Sequence, residues 1–368
     1  MKTAYTNGTI YTSENKLTGK AILIADGVIE DIVDSNNIGS EYVIKDLGGL
    51  NIAPAFIDLQ IYGGNGKLFS ANLDVPSIQA TYEYCLNGGC TQFMITMATN
   101  TIEIFLKGME IVRRYWEQGG KGLLGLHLEG PYINPEKKGA HIANCIKKPT
   151  IAEVKMLLDQ GRDVLKMMTL APEVCDLEVI ELLLQNDIIV SAGHTNATYE
   201  EARDKFAAGI PTATHLFNAM SPLQSRAPGM VGALYNDDRV KASIVTDGIH
   251  VDFAAVSISK KIMGERLFFI TDAVTSTSEG AYQHVFTGDR YTLPNGTLSG
   301  SALTMMRSVS NAVNYCGISL DEALRMASTY PAQLLKDNKL LGKIAKGFTA
   351  DFVVFDDALN VNQVITND

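Results

Sequence analysis

The chain has 368 residues, 46% hydrophobic and 20% charged, the balance of an ordinary soluble globular protein and enough length for one large domain with a small one. Its 31 basic residues stand against 41 acidic ones, a formal net charge of -10, and a field of that sign excludes nucleic acid and anionic membrane as general partners. An anionic small molecule would need a local basic cluster.

The opening MKTAYTNGTIYTSEN contains no apolar h-region, and no window approaches the roughly 18 apolar residues of a spanning helix; the expected location is the cytoplasm. Cys85, Cys90, Cys145, Cys175 and Cys316 are odd in number and scattered, with no CxxC pair. They read as reduced, mostly buried small hydrophobes.

In chain order, residues 3 to 50 alternate short β-prone runs (AILIADGVIEDIV, YVIKDL) with Gly and Asn turns, which predicts a small β unit. From about residue 52 the texture changes to apolar strands followed by amphipathic helices. FIDLQIYG precedes a helix near 75 to 87, TQFMITMAT one over 102 to 118, and LLGLHLEG follows. KMMTLAPE leads to 176 to 186, DIIVSAGHT to 198 to 208, then come TATHLFNAM, VKASIVTDGIH with a helix over 252 to 262, and LFFITDAV. Eight such strands close a parallel (β/α)8 barrel of the TIM type; a doubly wound open sheet is the rival architecture, since near-continuous apolar strands say only that both faces are covered.

Helices near 302 to 314 and 320 to 328 follow, and the tail GKIAKGFTADFVVFD (342 to 356) returns to short β-prone segments. The expected division is a small discontinuous β-sandwich domain from residues 1–51 and 342–368, and a barrel domain over residues 52–341.

Five strand-like runs end on a metal-ligand or acid/base group: HLEGP, SAGHT, THLFNAM, TDGIH and ITDAV. They bring Glu129, His194, His215, His250 and Asp272 to strand ends, where a (β/α) barrel builds its active site. Singly each has a plain reading: a capping carboxylate for Glu129, core imidazoles for His194 and His215. Jointly a Glu and two His are a known zinc set, and a carboxylate ending the apolar run LFFI suits a base beside activated water. The chain therefore reads as a metal-dependent hydrolase. His141 and His250 lie in turn-rich stretches and carry less signal, His127 points away from Glu129 by strand alternation and reads as structural, and His284 sits in a segment without a usable pattern. Arg226, in the loop SPLQSRAPG, could fork onto a phosphate or carboxylate. The stretch LPNGTLSGS offers backbone N–H groups for a polar ligand.

These residues resemble a known family. APAFIDLQIYGG, HLEGPYINPEKKGAH, SAGHTNATYEEA, THLFNAMSPLQSRAPG, VTDGIH, FITDAV, LSGSALTM and GKIAKGFTADFVVFD together are similar, over essentially the whole chain, to the N-acetylglucosamine-6-phosphate deacetylase family of the amidohydrolase superfamily. The resemblance implies hydrolysis of the acetamide of N-acetyl-D-glucosamine 6-phosphate in amino-sugar catabolism. Glu129, His194 and His215 would hold a divalent metal, zinc or iron, and Asp272 would act as general base and then acid. Substrate contacts would come from Ala140, His141, Asn218, Ala219, Arg226, Asp247, Gly248, Ile249, His250, Leu298, Ser299 and Gly300, with Arg226 on the phosphate and a homodimer mate lending a residue.

Many amidohydrolases carry HxH at the end of the first barrel strand. Here Gln60 and Tyr62 stand there, poor ligands both, which predicts one metal per subunit. The galacto epimer is an alternative substrate that differs at one hydroxyl. A non-catalytic sugar-phosphate sensor is the reading from another class, and the complete set Glu129, His194, His215 and Asp272 argues against it.

Overall fold

The computed structural model describes residues 2–278, 280–335 and 340–366. Eight parallel strands form one sheet, each beside its chain neighbour: β1 (Phe56–Ile61), β2 (Cys90–Ala98), β3 (Leu123–Glu129), β4 (Leu165–Leu170), β5 (Ile189–Ala192), β6 (Thr212–Ala213), β7 (Lys241–Ile244) and β8 (Leu267–Phe269). The sheet closes on itself, because Ile61 and Ala273 form a parallel bridge and Asp272 N–H donates to Gln60 C=O at 3.0 Å. The TIM-type barrel expected from the strand count is the one observed, and the open-sheet rival is excluded by that closure.

Helices fall where the apolar periodicity places them: Val75–Asn87, Ile102–Glu117, Leu177–Gln185, Tyr199–Ala207 and Phe253–Met263. Thr198 starts one of them with a reciprocal capping box, its side chain on Glu201 N–H and the Glu201 carboxylate on its own N–H. Two further helices, Ile151–Gly161 and Gly229–Asn236, complete the crossovers after β3 and β6. Past β8 the chain makes a three-stranded antiparallel sheet from Val285–Phe286, Arg290–Thr292 and Leu298–Ser301.

The chain separates into two compact units, one of Leu59–Tyr84 and Phe93–Leu303, the other of Met1–Asp58, Cys85–Gln92 and Thr304–Asp368. In the second, the two ends of the chain share a sheet: Phe352–Phe355 pairs antiparallel with Asn51–Pro54, which lies parallel to Thr9–Tyr11. Ile22, Ile29, Ile52, Phe352 and Val354 fill its core. Among the described residues no helix is long and apolar enough to cross a membrane.

Candidate active site

Strand register decides what reaches the mouth of the barrel. Glu129 is the last residue of β3, while His194, His215 and Asp272 follow β5, β6 and β8 by two or three residues. The three follow-on residues share an uncommon backbone: φ is 47° at His194, 38° at His215 and 54° at Asp272, with Ala219 at 51°. Non-glycine residues in the left-handed region cost free energy and persist only where their surroundings over-determine them. Here the surroundings are tight. A Cβ on Gly193, just before His194, would stand 2.8 Å from Thr169 Cγ2, so only glycine lets β5 turn its histidine inward.

The inward groups converge. Glu129 Oε1 lies 3.0 Å from His215 Nε2 and 3.3 Å from His194 Nε2, and the two imidazole nitrogens are 3.1 Å apart. His194 Nδ1–H donates to Lys137 C=O at 2.8 Å, so its Nε2 carries a lone pair that faces a carboxylate oxygen and a second imidazole. His215 Nδ1 is buried with no hydrogen-bond partner among the described residues. A triangle of donor atoms about 3.0 to 3.3 Å on a side matches tetrahedral ligands spaced around a cation at about 2.0 to 2.2 Å, and the backbone carbonyl on the far ring nitrogen of His194 is the usual orienting partner of such a ligand. The residues present fit a divalent metal.

His141 also reaches this cluster, and Glu129, His141 and His194 form a group able to hold an ion. Its protonation points to another part. Thr99 N–H donates to His141 Nδ1 at 3.3 Å, leaving Nε2 to carry the proton and donate to Glu129 Oε2 at 3.0 Å. Burial, together with His194, lowers the His141 pKa to about 4 against the pull of Glu129, so the ring is neutral at pH 7. Burial alone would raise the Glu129 carboxyl, but His194 and His141 hold it well below the usual carboxylate range.

Gln60 and Tyr62, read from sequence only as missing ligands, are built into the site. Gln60 Nε2 lies 2.8 Å from Tyr62 Oη, 3.1 Å from Glu129 Oε1 and 2.9 Å from Asp272 Oδ1. The Tyr62 hydroxyl donates to Glu129 Oε2, and burial with the nearby Glu129 and Asp272 charges raises its pKa well above the ordinary phenol, so it stays a donor. His127 is structural: fully buried, it donates from Nδ1 to Leu59 C=O and accepts from Thr169 at Nε2.

A cavity open to solvent lies over these groups. Of the expected substrate contacts, Ala140, His141, Asn218, Ala219, His250, Leu298, Ser299 and Gly300 line it. Asn218 Nδ2 is buried without a hydrogen-bond partner among the described residues. Asp247 stands behind the wall and orients His250, accepting from its Nδ1–H at 2.6 Å and from the Ile249 and His250 backbone N–H groups; burial opposes its ionisation, but those bonds leave its carboxyl lower than usual. Gly248 and Ile249 do not line the cavity, and Arg226 lies exposed on its loop, outside the lining.

Tyr282 and His284 do line it, and sequence reasoning missed both. His284 Nδ1 is 2.9 Å from Ser299 Oγ across the antiparallel sheet, and burial lowers its pKa to about 4. No short-range pattern announces such a pairing, because it depends on how residues 285 to 301 fold back. Among the described residues, no lysine or arginine lines the cavity.

The sequence pattern of the Amidohydrolase family matches residues 51–368, and that described as the NagA composite domain matches residues 4–52. The chain is 36% identical to the N-acetylglucosamine-6-phosphate deacetylase of Haemophilus influenzae over 100% of its own length and 98% of the relative's. The crystal structure of N-acetylglucosamine-6-phosphate deacetylase from Pasteurella multocida superposes with a TM-score of 0.95 at 35% identity, covering 100% of this chain and 98% of that one. A mutant N-acetyl-D-glucosamine-6-phosphate deacetylase from Mycobacterium smegmatis, in complex with N-acetyl-D-glucosamine-6-phosphate, has a TM-score of 0.91 at 30% identity, with coverage of 100% and 98%.

Proposed function

The chain belongs to the amidohydrolase family, and from that premise we propose that it hydrolyses the acetamide of N-acetyl-D-glucosamine 6-phosphate to D-glucosamine 6-phosphate and acetate, in amino-sugar catabolism. The observation that carries the reading is the meeting of Glu129 Oε1, His194 Nε2 and His215 Nε2 in one cavity, with Asp272 linked to them through Gln60.

Glu129, His194 and His215 would hold one divalent cation, zinc or iron by the nature of the donors. When bound, the cation supplies Lewis acidity, polarising the amide carbonyl and making water a nucleophile near neutral pH. Asp272 takes the proton from the attacking water as oxygen bonds to the carbonyl carbon. It then returns that proton to the amide nitrogen as the C–N bond breaks, releasing the sugar amine and acetate. Gln60 holds Asp272 Oδ1 in place for both transfers. The neutral His141 ring, its Nε2–H on Glu129, keeps the carboxylate ionised and oriented.

Asn218, whose buried Nδ2 has no partner among the described residues, and His250, fixed by Asp247, would hold the sugar. A phosphate needs a cation, and among the described residues the cavity wall supplies no lysine or arginine. Arg226, exposed on its loop, would meet that need, and a homodimer mate would lend a residue to the site. Residues 52–341 would carry the reaction and residues 1–51 with 342–368 the small β domain; residues 1, 279, 336–339 and 367–368 in those ranges lie outside the described ones. The free cysteines suit a reducing cytoplasm. Acetate release from N-acetylglucosamine 6-phosphate by purified, metal-analysed protein tests the proposal, and a metal-loaded protein that releases none would remove it.

A further inference from the structure

The two oxygens of Glu129 are divided between separate sets of neighbours. Oε1 faces His194 Nε2, His215 Nε2 and Gln60 Nε2, at 3.3, 3.0 and 3.1 Å. Oε2 is taken by two proton donors, the Tyr62 hydroxyl and His141 Nε2–H, the latter at 3.0 Å. Tyr62 is itself steered: its oxygen accepts from Gln60 Nε2 at 2.8 Å, so its one hydrogen is directed at the carboxylate. The relay runs Gln60 to Tyr62 to Glu129, and all three side chains are buried.

We propose that Tyr62 is a positioning residue of the metal centre, one that ties down Oε2 of Glu129 so that the carboxylate meets its cation through Oε1 alone. The inference rests on the metal site assigned above. An ionised carboxylate has two equivalent oxygens and can take one cation through either or both. A switch to two-oxygen binding here would break a charge-assisted hydrogen bond and leave a buried hydroxyl hydrogen unpaired, which is costly away from water. By fixing Oε2, Tyr62 and His141 keep Oε1 at the corner it shares with the two histidines. A coordination position is thereby left for water and substrate. Gln60 adds a second constraint: the two hydrogens of its Nε2 are shared among Tyr62 Oη, Glu129 Oε1 and Asp272 Oδ1, which places this nitrogen between the ligand carboxylate and the proton carrier.

Tyr62→Phe removes one hydroxyl and keeps the ring. In a competition assay with a chromophoric chelator and zinc alone, the variant should bind zinc about 10- to 100-fold more weakly than wild type, the loss typical of an orienting partner. In crystals of the zinc-loaded proteins Glu129 should bond through Oε1 in wild type and through both oxygens in the variant. Equal zinc affinities, or two-oxygen binding in wild type, would overturn the inference while leaving the metal site standing. Wild-type protein that takes up no zinc would remove the site and the inference together.

Discussion

Asp272→Asn isolates the proton carrier, because the structure lets the substitution keep everything except the charge. Asp272 sits at φ 54°, a region that Asn and Asp tolerate better than most residues. Its backbone is pinned on both sides, N–H to Gln60 C=O at 3.0 Å and C=O from Ser301 N–H at 2.9 Å. An asparagine can present its carbonyl oxygen to Gln60 Nε2, as Asp272 Oδ1 does at 2.9 Å. Geometry and metal content should therefore be preserved, while general acid and base catalysis is lost. Positioned proton transfer is worth roughly 10² to 10⁴ in rate, about 2.7 to 5.4 kcal/mol of barrier at 1.36 kcal/mol per decade. Acetate release measured beside metal content should show kcat down by at least that factor with KM little changed. A variant with full metal and a rate within tenfold of wild type would refute the role of Asp272.

Arg226 is exposed, so Arg226→Ala should not harm folding; it should raise KM for the phosphorylated sugar far more than for the unphosphorylated one, and equal effects on both would end the phosphate assignment. His127 has its pKa lowered to about 4 by burial, so the folded chain binds fewer protons than the unfolded one between about pH 6.5 and 4; the stability it contributes is complete above the unfolded value and lost as pH falls, by up to about 3 kcal/mol. His127→Asn should flatten that part of the thermal-midpoint profile, and a parallel profile would contradict the assignment. For the two epimers, kcat/KM should favour N-acetylglucosamine 6-phosphate, and the reverse order would move the assignment to the galacto sugar.

The barrel was legible because each strand is an apolar run followed by an amphipathic helix, a pattern that local side-chain chemistry sets. The ligand candidates were legible because Glu129, His194, His215 and Asp272 are polar groups ending those runs. The left-handed backbone at the last three was not, since it follows from packing beneath them, such as Thr169 and Thr214 against Gly193. The helix over Ile151–Gly161 had a readable cue, Thr150 capping Glu153 N–H. Tyr62 had one as well: it directly follows β1, and residues two apart in extended chain face the same way, so a phenol two residues after Gln60 belongs to the site and not merely to a lost ligand position. Tyr282 and His284 depend on a long-range fold-back with no local signature.

The most direct measurement strips the protein of metal with a chelator, adds zinc stepwise and follows acetate release from N-acetylglucosamine 6-phosphate. The stripped protein should show no activity, and zinc should restore it in a linear rise that saturates at one equivalent per chain. Acetate release that persists without metal, or that requires a second equivalent, would contradict a single-metal site.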